Sequence, residues 1–230
     1  MFALVLMAKA PLSGLAKTRL AAEGGLSADD AARFADAFLR DTLRVAGRAG
    51  GARLIVCFAP SASEPYFRGL APRAHLVAQV EGDLGARMAA ACEAAFALGA
   101  TRVALIGADT PHLAAPAIER AWRELDSCDC VLGPAEDGGY YLIALRERRP
   151  ELFQGIEWST AHVLAQTLSR ARATGARTVL LEELFDIDDI ATLERLERSL
   201  GPDGEPCPHT ARVLADRRAA QNSPASWYSK

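Results

Sequence analysis

Residues 3–20 read ALVLMAKAPLSGLAKTRL and decide the fold of the chain. The apolar run that opens this stretch predicts a buried strand, which ends at Lys9. A loop with Pro11 and Gly14 follows, and the sequence Lys-Thr-Arg then leads into a predicted helix. Ligands of open α/β sheets bind at the carboxyl edge of the strands, and cations beside free backbone N–H groups bind phosphate. The stretch therefore predicts an α/β sheet with a phosphate or pyrophosphate site after its first strand.

The same loop is not a P-loop of the ATPase or kinase type. Lys17 and Thr18 supply the last two positions of G-x-x-x-x-G-K-[ST]. Pro11 and Ala16 stand where that motif needs its two glycines. The dinucleotide fingerprint G-x-G-x-x-G is also absent from this turn, so the loop must bind phosphate in another way.

Composition favours one large α/β domain without a polyanionic or membrane partner. The chain has 230 residues, 50% of them hydrophobic, and a net charge of −3, which gives no reason to expect nucleic acid. No apolar run approaches the roughly 20 residues that span a bilayer, and the amino terminus lacks a signal-peptide pattern. The five cysteines form no C-x-x-C pair and are expected to be reduced core thiols rather than a zinc site, so we expect a cytoplasmic protein.

Apolar runs alternate with helical patterns along residues 1–200, which we take as the domain. Strands are predicted near 2–8, 53–58, 75–80, 102–107, 129–133, 139–145 and 177–181, and helices near 28–48, 84–98, 114–126, 160–174 and 189–199. Such alternation implies parallel pairing with right-handed crossovers. Residues 128–145 hold two strand-like segments without a helix between them, which predicts an antiparallel strand in a mostly parallel mixed sheet. Residues 201–230 are expected to form a partly flexible carboxyl-terminal extension with a short helix near 211–220.

Three further segments carry candidate chemistry. In VALIGADTPHL (103–113), Asp109 follows a buried strand and can ligate Mg²⁺ that bridges nucleotide phosphates, or can instead cap a turn or helix. In LGPAEDGGYYLI (132–143), the Asp-Gly-Gly turn allows close approach to a ligand, although Asp-Gly is also a favoured hairpin dipeptide. In FDIDDI (185–190), Asp186 or Asp188 can supply a second carboxylate to a metal, while Asp188 or Asp189 can cap the following helix.

Two weaker signals complete the set. Arg87 lies in the first turn of a predicted helix behind Gly82 and Gly85, where it can bind an anion, although Asp83 can simply cap that helix. Trp158 can stack on a ring or sugar, or pack in the core. The four histidines show no ligand spacing, and no Ser-His-Asp or Cys-His arrangement stands out.

Together these segments resemble a known bacterial family. The motifs are Lys-Ala-Pro-x-x-Gly-x-x-Lys-Thr-Arg-Leu, Gly-x-Asp-x-Pro-x-Leu, Gly-Pro-Ala-x-Asp-Gly-Gly-Tyr-Tyr-Leu-Ile and Asp-Ile-Asp. They are similar, in this order, to the DUF2064 family, also called radical-SAM/selenodomain-associated transferases or arsenosugar-biosynthesis glycosyltransferases. That family belongs to the nucleotide-diphospho-sugar transferase (GT-A-like) superfamily, with the molybdenum-cofactor nucleotidyltransferases and phospholactate guanylyltransferase. The resemblance covers roughly residues 3–200 and implies a Rossmann-like three-layer α/β/α sandwich that binds a nucleotide-bearing donor.

The resemblance also implies roles for residues. Donor phosphates would be held by Lys9, Pro11, Gly14, Lys17, Thr18 and Arg19, with Arg87 as a further candidate. Mg²⁺ or Mn²⁺ would be held by Asp109 with Asp188 or Asp186. The acceptor would meet Asp137, Gly138, Gly139 and Tyr140, with Trp158 as a further candidate, and Lys17, Asp109 and Asp137 would be the catalytic groups.

Three functions remain open at this level. In glycosyl transfer, a nucleotide-diphospho-sugar gives its sugar to a small-molecule acceptor, which is what the family name favours. In nucleotidyl transfer, a nucleoside triphosphate reacts and pyrophosphate leaves, which the single Asp109 without an Asp-x-Asp motif favours. A non-catalytic nucleotide-binding module is the third, although Asp109 and Asp188 are both present. The base, the sugar, the acceptor and the oligomeric state are not defined by the sequence.

Overall fold

The computed structural model describes residues 1–24 and 26–222. Its strands are β1 Phe2–Lys9, β2 Arg53–Ala59, β3 His75–Ala78, β4 Arg102–Ile106, β5 Cys130–Pro134, β6 Tyr140–Leu145 and β7 Thr178–Leu180. Its α-helices are α1 Thr18–Gly24, α2 Ala28–Arg48, α3 Glu64–Leu70, α4 Leu84–Ala97, α5 Ala115–Glu124, α6 Val163–Ala173, α7 Ile190–Ser199 and α8 Pro208–Asn222. Each predicted strand is present, whereas the short helix α3 was not predicted.

The seven strands form one mixed sheet in the order β3-β2-β1-β4-β6-β5-β7. Strand β1 lies at the centre of its parallel part and pairs with both β2 and β4. Strand β6 runs antiparallel to β4 and β5, and β7 runs parallel to β5. The antiparallel strand predicted within residues 128–145 is therefore confirmed as β6, because a five-residue turn can join two strands only as a hairpin.

Helices cover both faces of the sheet, because its central strands are apolar on both sides. Alternate residues of β1 point to opposite faces, so Leu4 and Leu6 pack towards α2, α3 and α5, while Ala3 and Val5 pack towards α4 and α6. The result is the predicted three-layer α/β/α sandwich. Its carboxyl edge, where β1, β2, β3 and β4 end, carries the loops described below.

Side-chain caps fix where several helices begin. Ser27 Oγ accepts the Asp30 N–H at 3.0 Å, and Asp83 Oδ1 accepts the Ala86 N–H at 2.8 Å. Asp189 forms a capping box with Thr192 at the start of α7. Capping therefore belongs to Asp189, which leaves the side chain of Asp188 available to the loops.

The segment after residue 200 contacts the domain through the start of α8. Asp41 of α2 is fully buried, and its carboxylate accepts the His209 and Thr210 N–H groups and the Thr210 hydroxyl. This side chain caps α8, which begins at Pro208 and not near 211 as predicted. The buried residues Cys207 and Leu214 join a small core shared by α1, α2, α7 and α8. The expectation of flexibility at residues 223–230 lies outside the described residues.

The predicted state of the cysteines agrees with the structure. All five are free and buried. Burial raises the pKa of Cys57 to about 11 and that of Cys207 to about 12, where Asp41 and Glu205 add to the rise. These thiols therefore stay protonated near neutral pH and act as small apolar core residues.

Candidate active site

A cleft of about 700 Å³ opens at the carboxyl edge of the sheet. Its walls come from the loop after β1, the turn after β4, the β5–β6 hairpin, the start of α4 and the segment before α7. A cleft of this size accepts a nucleotide-sized ligand. Strand ends from distant parts of the sequence therefore meet at one site, as the sheet topology requires.

Most of the predicted site residues line this cleft. They are Lys9, Lys17, Thr18, Arg19, Arg87, Asp109, Asp137, Gly139, Tyr140, Trp158, Asp186 and Asp188. Pro11, Gly14 and Gly138 do not line it. Gly138 has φ +87°, and a Cβ there would overlap the carbonyl oxygen of Ala161, so this glycine packs the hairpin turn against its neighbour.

Lys17 lies at the floor of the cleft and joins three loops. Its side chain is only 9% exposed. The ammonium lies 2.5 Å from Asp109 Oδ1, 2.9 Å from Asp188 Oδ1 and 2.7 Å from the carbonyl oxygen of Ile187. All three N–H donors of the ammonium therefore have protein partners, and the two carboxylates are close enough to share one cation.

The charges of this cluster support each other. Burial lowers the pKa of Lys17, but the ion pairs with Asp109 and Asp188 outweigh burial and hold that pKa above its ordinary value of 10.5. Burial raises the pKa of Asp188, while the Lys17 ammonium and the Arg19 guanidinium, 3.3 Å away, bring it below its ordinary value. Both residues are therefore charged near neutral pH.

Asp186 is a carboxylate that lies near three other negative charges of the cleft. It accepts a hydrogen bond from Thr110 Oγ1 at 2.6 Å. Burial raises its pKa to about 6, and the negative charges of Asp109, Asp137 and Asp188 add to the rise against the Thr110 hydrogen bond. This end of the cleft thus carries more carboxylates than cations and favours a bound cation.

The Asp-Gly-Gly segment forms a hairpin turn and also borders the cleft. Asp137 Oδ1 accepts the Gly139 N–H at 2.8 Å, and the Ala135 N–H donates to the Gly139 carbonyl at 3.1 Å. The Asp137 side chain thereby shapes its own turn. Because Asp137 and Gly139 also line the cleft, the hairpin presents a carboxylate to whatever binds there.

Aromatic side chains form the wall beside the hairpin. The Tyr140 and Trp158 rings meet edge to face with centroids 6.4 Å apart. The indole of Trp158 lies against Gly85, where a Cβ would overlap the indole nitrogen. Burial raises the pKa of the Tyr140 hydroxyl, and the nearby Thr167 hydroxyl offsets part of that rise. Among the described residues the Tyr140 hydroxyl has no hydrogen-bond partner. Tyr140 thus offers the cleft its ring and not its hydroxyl.

The end of the cleft near β1 and β2 is lined by two cationic side chains and one glutamine side chain. Lys9 and Arg87 line it, and neither has a carboxylate within ion-pair distance among residues 1–24 and 26–222. Arg87 Nε donates to the Gly82 carbonyl at 3.0 Å. Gln79, which sequence reasoning missed, also lines this end. The sequence predicted a strand over 75–80, which placed Gln79 inside the strand. Because β3 ends at Ala78, a strand predicted to end one residue before Gln79 would have placed that residue at the carboxyl edge of the sheet.

The carboxylates suit a hard cation, with one qualification. Asp109, 59% exposed, faces the cleft, and carboxylate oxygens are ligands that Mg²⁺ and Mn²⁺ prefer. In the described part of the chain, no group of three or more His, Cys, Asp or Glu side chains is already arranged around one metal position. The Lys17 ammonium holds Asp109 and Asp188 together. Asp109 Oδ2 has no ion-pair partner among the described residues, whereas the two Asp188 oxygens are paired with Lys17 and Arg19, so a bound ion would take the place of a cationic side chain at Asp188.

The fold and the cleft define a member of the nucleotide-diphospho-sugar transferase superfamily. A protein from Desulfovibrio desulfuricans G20, provisionally named a nucleotide-diphospho-sugar transferase, has 30% identity and a TM-score of 0.86, with 95% of each chain covered. Residues 42–160 match the family described as "Uncharacterized protein conserved in bacteria (DUF2064)". The chain belongs to the DUF2064 family.

More distant structures share the fold alone. CMP:2-keto-3-deoxy-manno-octonic acid synthetase complexed with CTP has 14% identity and a TM-score of 0.53, covering 86% of this chain and 97% of that one. Rv0371c of Mycobacterium tuberculosis H37Rv, in complex with manganese, has 19% identity and a TM-score of 0.55, covering 86% and 98%. No curated protein matches the chain. Among the described helices, none combines the length and apolarity needed to cross a membrane.

Proposed function

We propose that this protein is a metal-dependent transferase that uses a nucleotide-activated donor, and that it moves the sugar of a nucleotide-diphospho-sugar to a small-molecule acceptor. One observation carries the proposal. A single cleft brings together the basic loop after β1, three aspartates at the ends of β4 and β7 and the Asp-Gly-Gly turn. Family membership and the name given to the Desulfovibrio relative favour glycosyl transfer.

The cations of the cleft are the groups proposed to bind the donor phosphates. Lys9, Arg19 and Arg87 line the cleft and can reach a ligand, and Thr18 opens α1 beside them. Lys17 takes a different part, because its three donors already have partners. It positions Asp109 and Asp188. Pro11 and Gly14 act by shaping the loop, where Gly14 has φ +75°.

Asp109 and Asp188 are the proposed metal ligands, and Asp186, in the same cluster, is the alternative second ligand. The excess of negative charge here and the manganese complex of the distant relative support Mg²⁺ or Mn²⁺ as the cofactor. Such an ion, when bound, neutralises charge that develops on the leaving phosphates. The protein's own share is to hold the carboxylates through Lys17 and Thr110, and to orient donor and acceptor.

The acceptor is proposed to bind beside the hairpin. Asp137 can accept a hydrogen bond from an acceptor hydroxyl and take its proton as the bond to the sugar forms. Tyr140 and Trp158 supply an aromatic wall of the kind that packs against sugar or ring surfaces. Gly139 lets the backbone approach the ligand, while Gly138 is committed to packing.

Nucleotidyl transfer is the second candidate, because one specific feature favours it. Asp109 stands alone after β4, preceded by Gly107 and Ala108 and not by a second aspartate. Both reactions start from a nucleotide and differ in the leaving group, which is a nucleoside diphosphate in the first and pyrophosphate in the second. The released product therefore distinguishes them.

The test is a ligand screen followed by product analysis. Thermal unfolding is measured with MgCl₂, MnCl₂ or EDTA, and with nucleoside triphosphates or nucleotide-diphospho-sugars. A true donor present at about 100 times its Kd stabilises the fold by about 2.7 kcal/mol. Turnover with a panel of acceptors is then followed by separate assays for nucleoside diphosphate and pyrophosphate. If no nucleotide shifts the midpoint with either metal, the proposal fails.

Two variants assign the roles. Asp109→Asn is expected to abolish metal-dependent turnover, and because it removes one of the two carboxylates paired with the buried Lys17 ammonium, its melting temperature is expected to fall as well. Turnover is therefore compared at a temperature where thermal unfolding shows both proteins to be folded. Asp137→Ala is expected to leave the donor Kd unchanged by calorimetry and to lower transfer to the acceptor. Loss of donor affinity in Asp137→Ala would instead assign Asp137 to the nucleotide and metal site.

A further inference from the structure

Four side chains outside the cleft form a continuous stack. The His112 and Phe185 rings lie with their centroids 4.3 Å apart and an interplanar angle of 31°. The guanidinium carbon of Arg195 lies 3.8 Å from the centroid of the same Phe185 ring. That guanidinium donates to the two carboxylate oxygens of Glu136 at 2.6 Å and 2.8 Å. None of the four side chains lines the cleft, so this Phe185 stack can act on a ligand only through other residues.

The Phe185 stack joins the segments that carry the carboxylates of the cleft. Three of its members lie within three residues of such a carboxylate, in the pairs His112 with Asp109, Phe185 with Asp186, and Glu136 with Asp137. Backbone bonds follow the same route, because the Ile187 N–H donates to the Asp109 carbonyl at 2.9 Å and the Glu136 N–H donates to the Leu184 carbonyl at 2.9 Å. Segments that are distant in sequence are therefore tied together by backbone bonds and by the stack.

His112 contributes the face of its ring and not its nitrogens. Both ring nitrogens are buried, and neither has a hydrogen-bond partner among residues 1–24 and 26–222. Burial lowers the pKa of His112 to about 4, and the Arg195 charge lowers it further against the opposing effect of Glu136. The imidazole is therefore neutral near pH 7, and its contact in the stack is with the Phe185 ring.

Arg195 holds Phe185 by geometry more than by stability. A guanidinium is planar, so it can lie on an aromatic ring while its fork of N–H groups meets a carboxylate. The side chains of Arg195 and Glu136 are 48% and 44% exposed, and ion pairs this exposed contribute little to folding. A change at Arg195 is therefore expected to alter the position of Phe185 without unfolding the chain.

We propose that His112, Phe185 and Arg195, anchored by Glu136, are positioning residues that hold Asp109 and the 186–188 segment at the spacing a divalent cation requires. The inference rests on the proposed function, which assigns these carboxylates to a metal. Asp109 and Asp188 lie on separate segments, so the distance between their backbones depends on contacts between those segments. Lys17 joins the two side chains inside the cleft, and the Phe185 stack fixes the segments from outside it.

The first experiment measures Mn²⁺ binding to the full chain by the EPR signal of the free ion. MnCl₂ alone is the probe, so neither donor nor acceptor is needed. His112→Ala removes the ring and is expected to raise the Kd for Mn²⁺ by about 5- to 30-fold. His112→Phe restores the ring without the nitrogens, and its Kd is expected to stay within about twofold of the wild type. Titrations are run at a temperature where thermal unfolding shows each protein to be folded.

The second pair of variants protects the test against a folding defect in His112→Ala. Arg195→Lys keeps the charge but loses the planar fork, and is expected to raise the Kd for Mn²⁺ by about 3- to 10-fold. Arg148→Lys is the matched control. Arg148 Nε donates to both Glu93 oxygens at 3.0 Å and 2.9 Å, and its guanidinium carbon lies 5.4 Å from the Phe96 centroid, outside the cleft. This variant should bind Mn²⁺ like the wild type.

The outcomes separate the role of the Phe185 stack from the function beneath it. If the wild type binds no Mn²⁺, the metal site of the proposed function falls and the role of the stack falls with it. If the wild type binds Mn²⁺ and neither His112→Ala nor Arg195→Lys weakens it, the positioning role alone is wrong. If His112→Phe binds as weakly as His112→Ala, the nitrogens act and not the ring face, which overturns the proposal. Equal losses in Arg148→Lys and Arg195→Lys would overturn it as well.

Discussion

Removing the Lys17 ammonium is the most informative single perturbation of the cleft. Lys17→Met keeps the length of the apolar stem and deletes the charge that Asp109 and Asp188 share at 2.5 Å and 2.9 Å. Breaking a buried ion pair costs about 3–5 kcal/mol because the remaining charge lacks a partner. Asp109 and Asp188 are 59% and 37% exposed, so water screens them and the expected loss is about 2–3 kcal/mol.

The assay is urea unfolding in EDTA near neutral pH, with thermal unfolding as a second measure. For a chain of this size the predicted loss lowers the melting temperature by about 4–12 °C. Lys9→Met is the matched control, because Lys9 is an exposed lysine in the same cleft without a carboxylate partner among the described residues. Its unfolding free energy is expected to change by less than about 0.5 kcal/mol.

Divalent cations provide the second half of this test. In Lys17→Met the pair of carboxylates is left with an uncompensated charge, so MgCl₂ is expected to raise its melting temperature more than that of the wild type. If Lys17→Met is no less stable than Lys9→Met, the ammonium is not the link between the loops. A destabilised variant that ignores MgCl₂ would refute the assignment of Asp109 and Asp188 as a cation pair.

Three further perturbations test other parts of the structure. The pKa of Asp186 is about 6 in the folded protein against an ordinary 3.8, so its ionisation lowers the free energy of unfolding as pH rises from about 4 to about 6. Asp186→Asn in EDTA should therefore be more stable than the wild type by about 1–2 kcal/mol above pH 6, after allowance for the partial exposure of Asp186, and equally stable below pH 4. Urea titrations at both pH values measure the difference. Gly138→Ala should lower the free energy of unfolding by about 2–4 kcal/mol, because Gly138 has φ +87° and a Cβ there would overlap Ala161. The control Gly51→Ala, at φ +78° with no atom near the added Cβ, should lower it by only about 1 kcal/mol. Equal losses in urea unfolding would contradict the packing role of Gly138. Asp41→Ala should cost about 2–3 kcal/mol and expose α8 to proteolysis before the rest of the chain, and simultaneous cleavage throughout would refute local docking.

The sequence by itself determined the strands, most of the helices and the loops that carry the chemistry. Continuous apolar runs and the helix-free segment 128–145 depend on neighbours a few residues apart, and the structure confirmed the strands predicted from both of them. The same local reasoning predicted that Asp109, Asp137 and Asp188 follow strand ends. Because parallel strands end at one edge, their convergence on one cleft was predictable as well.

Only the tertiary structure determined which partner each polar side chain of the cleft contacts. Lys17 looks like a phosphate ligand from sequence, yet carboxylates 92 and 171 residues away along the chain take up its donors. The Gln79 amide donates to the carbonyls of two neighbouring strands, and Gly138 packs against the backbone of Ala161 and does not line the cleft. The physical reason is the same in each case. Local patterns fix backbone conformation, but a polar side chain chooses its partner from whatever the fold brings within about 3 Å, and that set spans the whole chain.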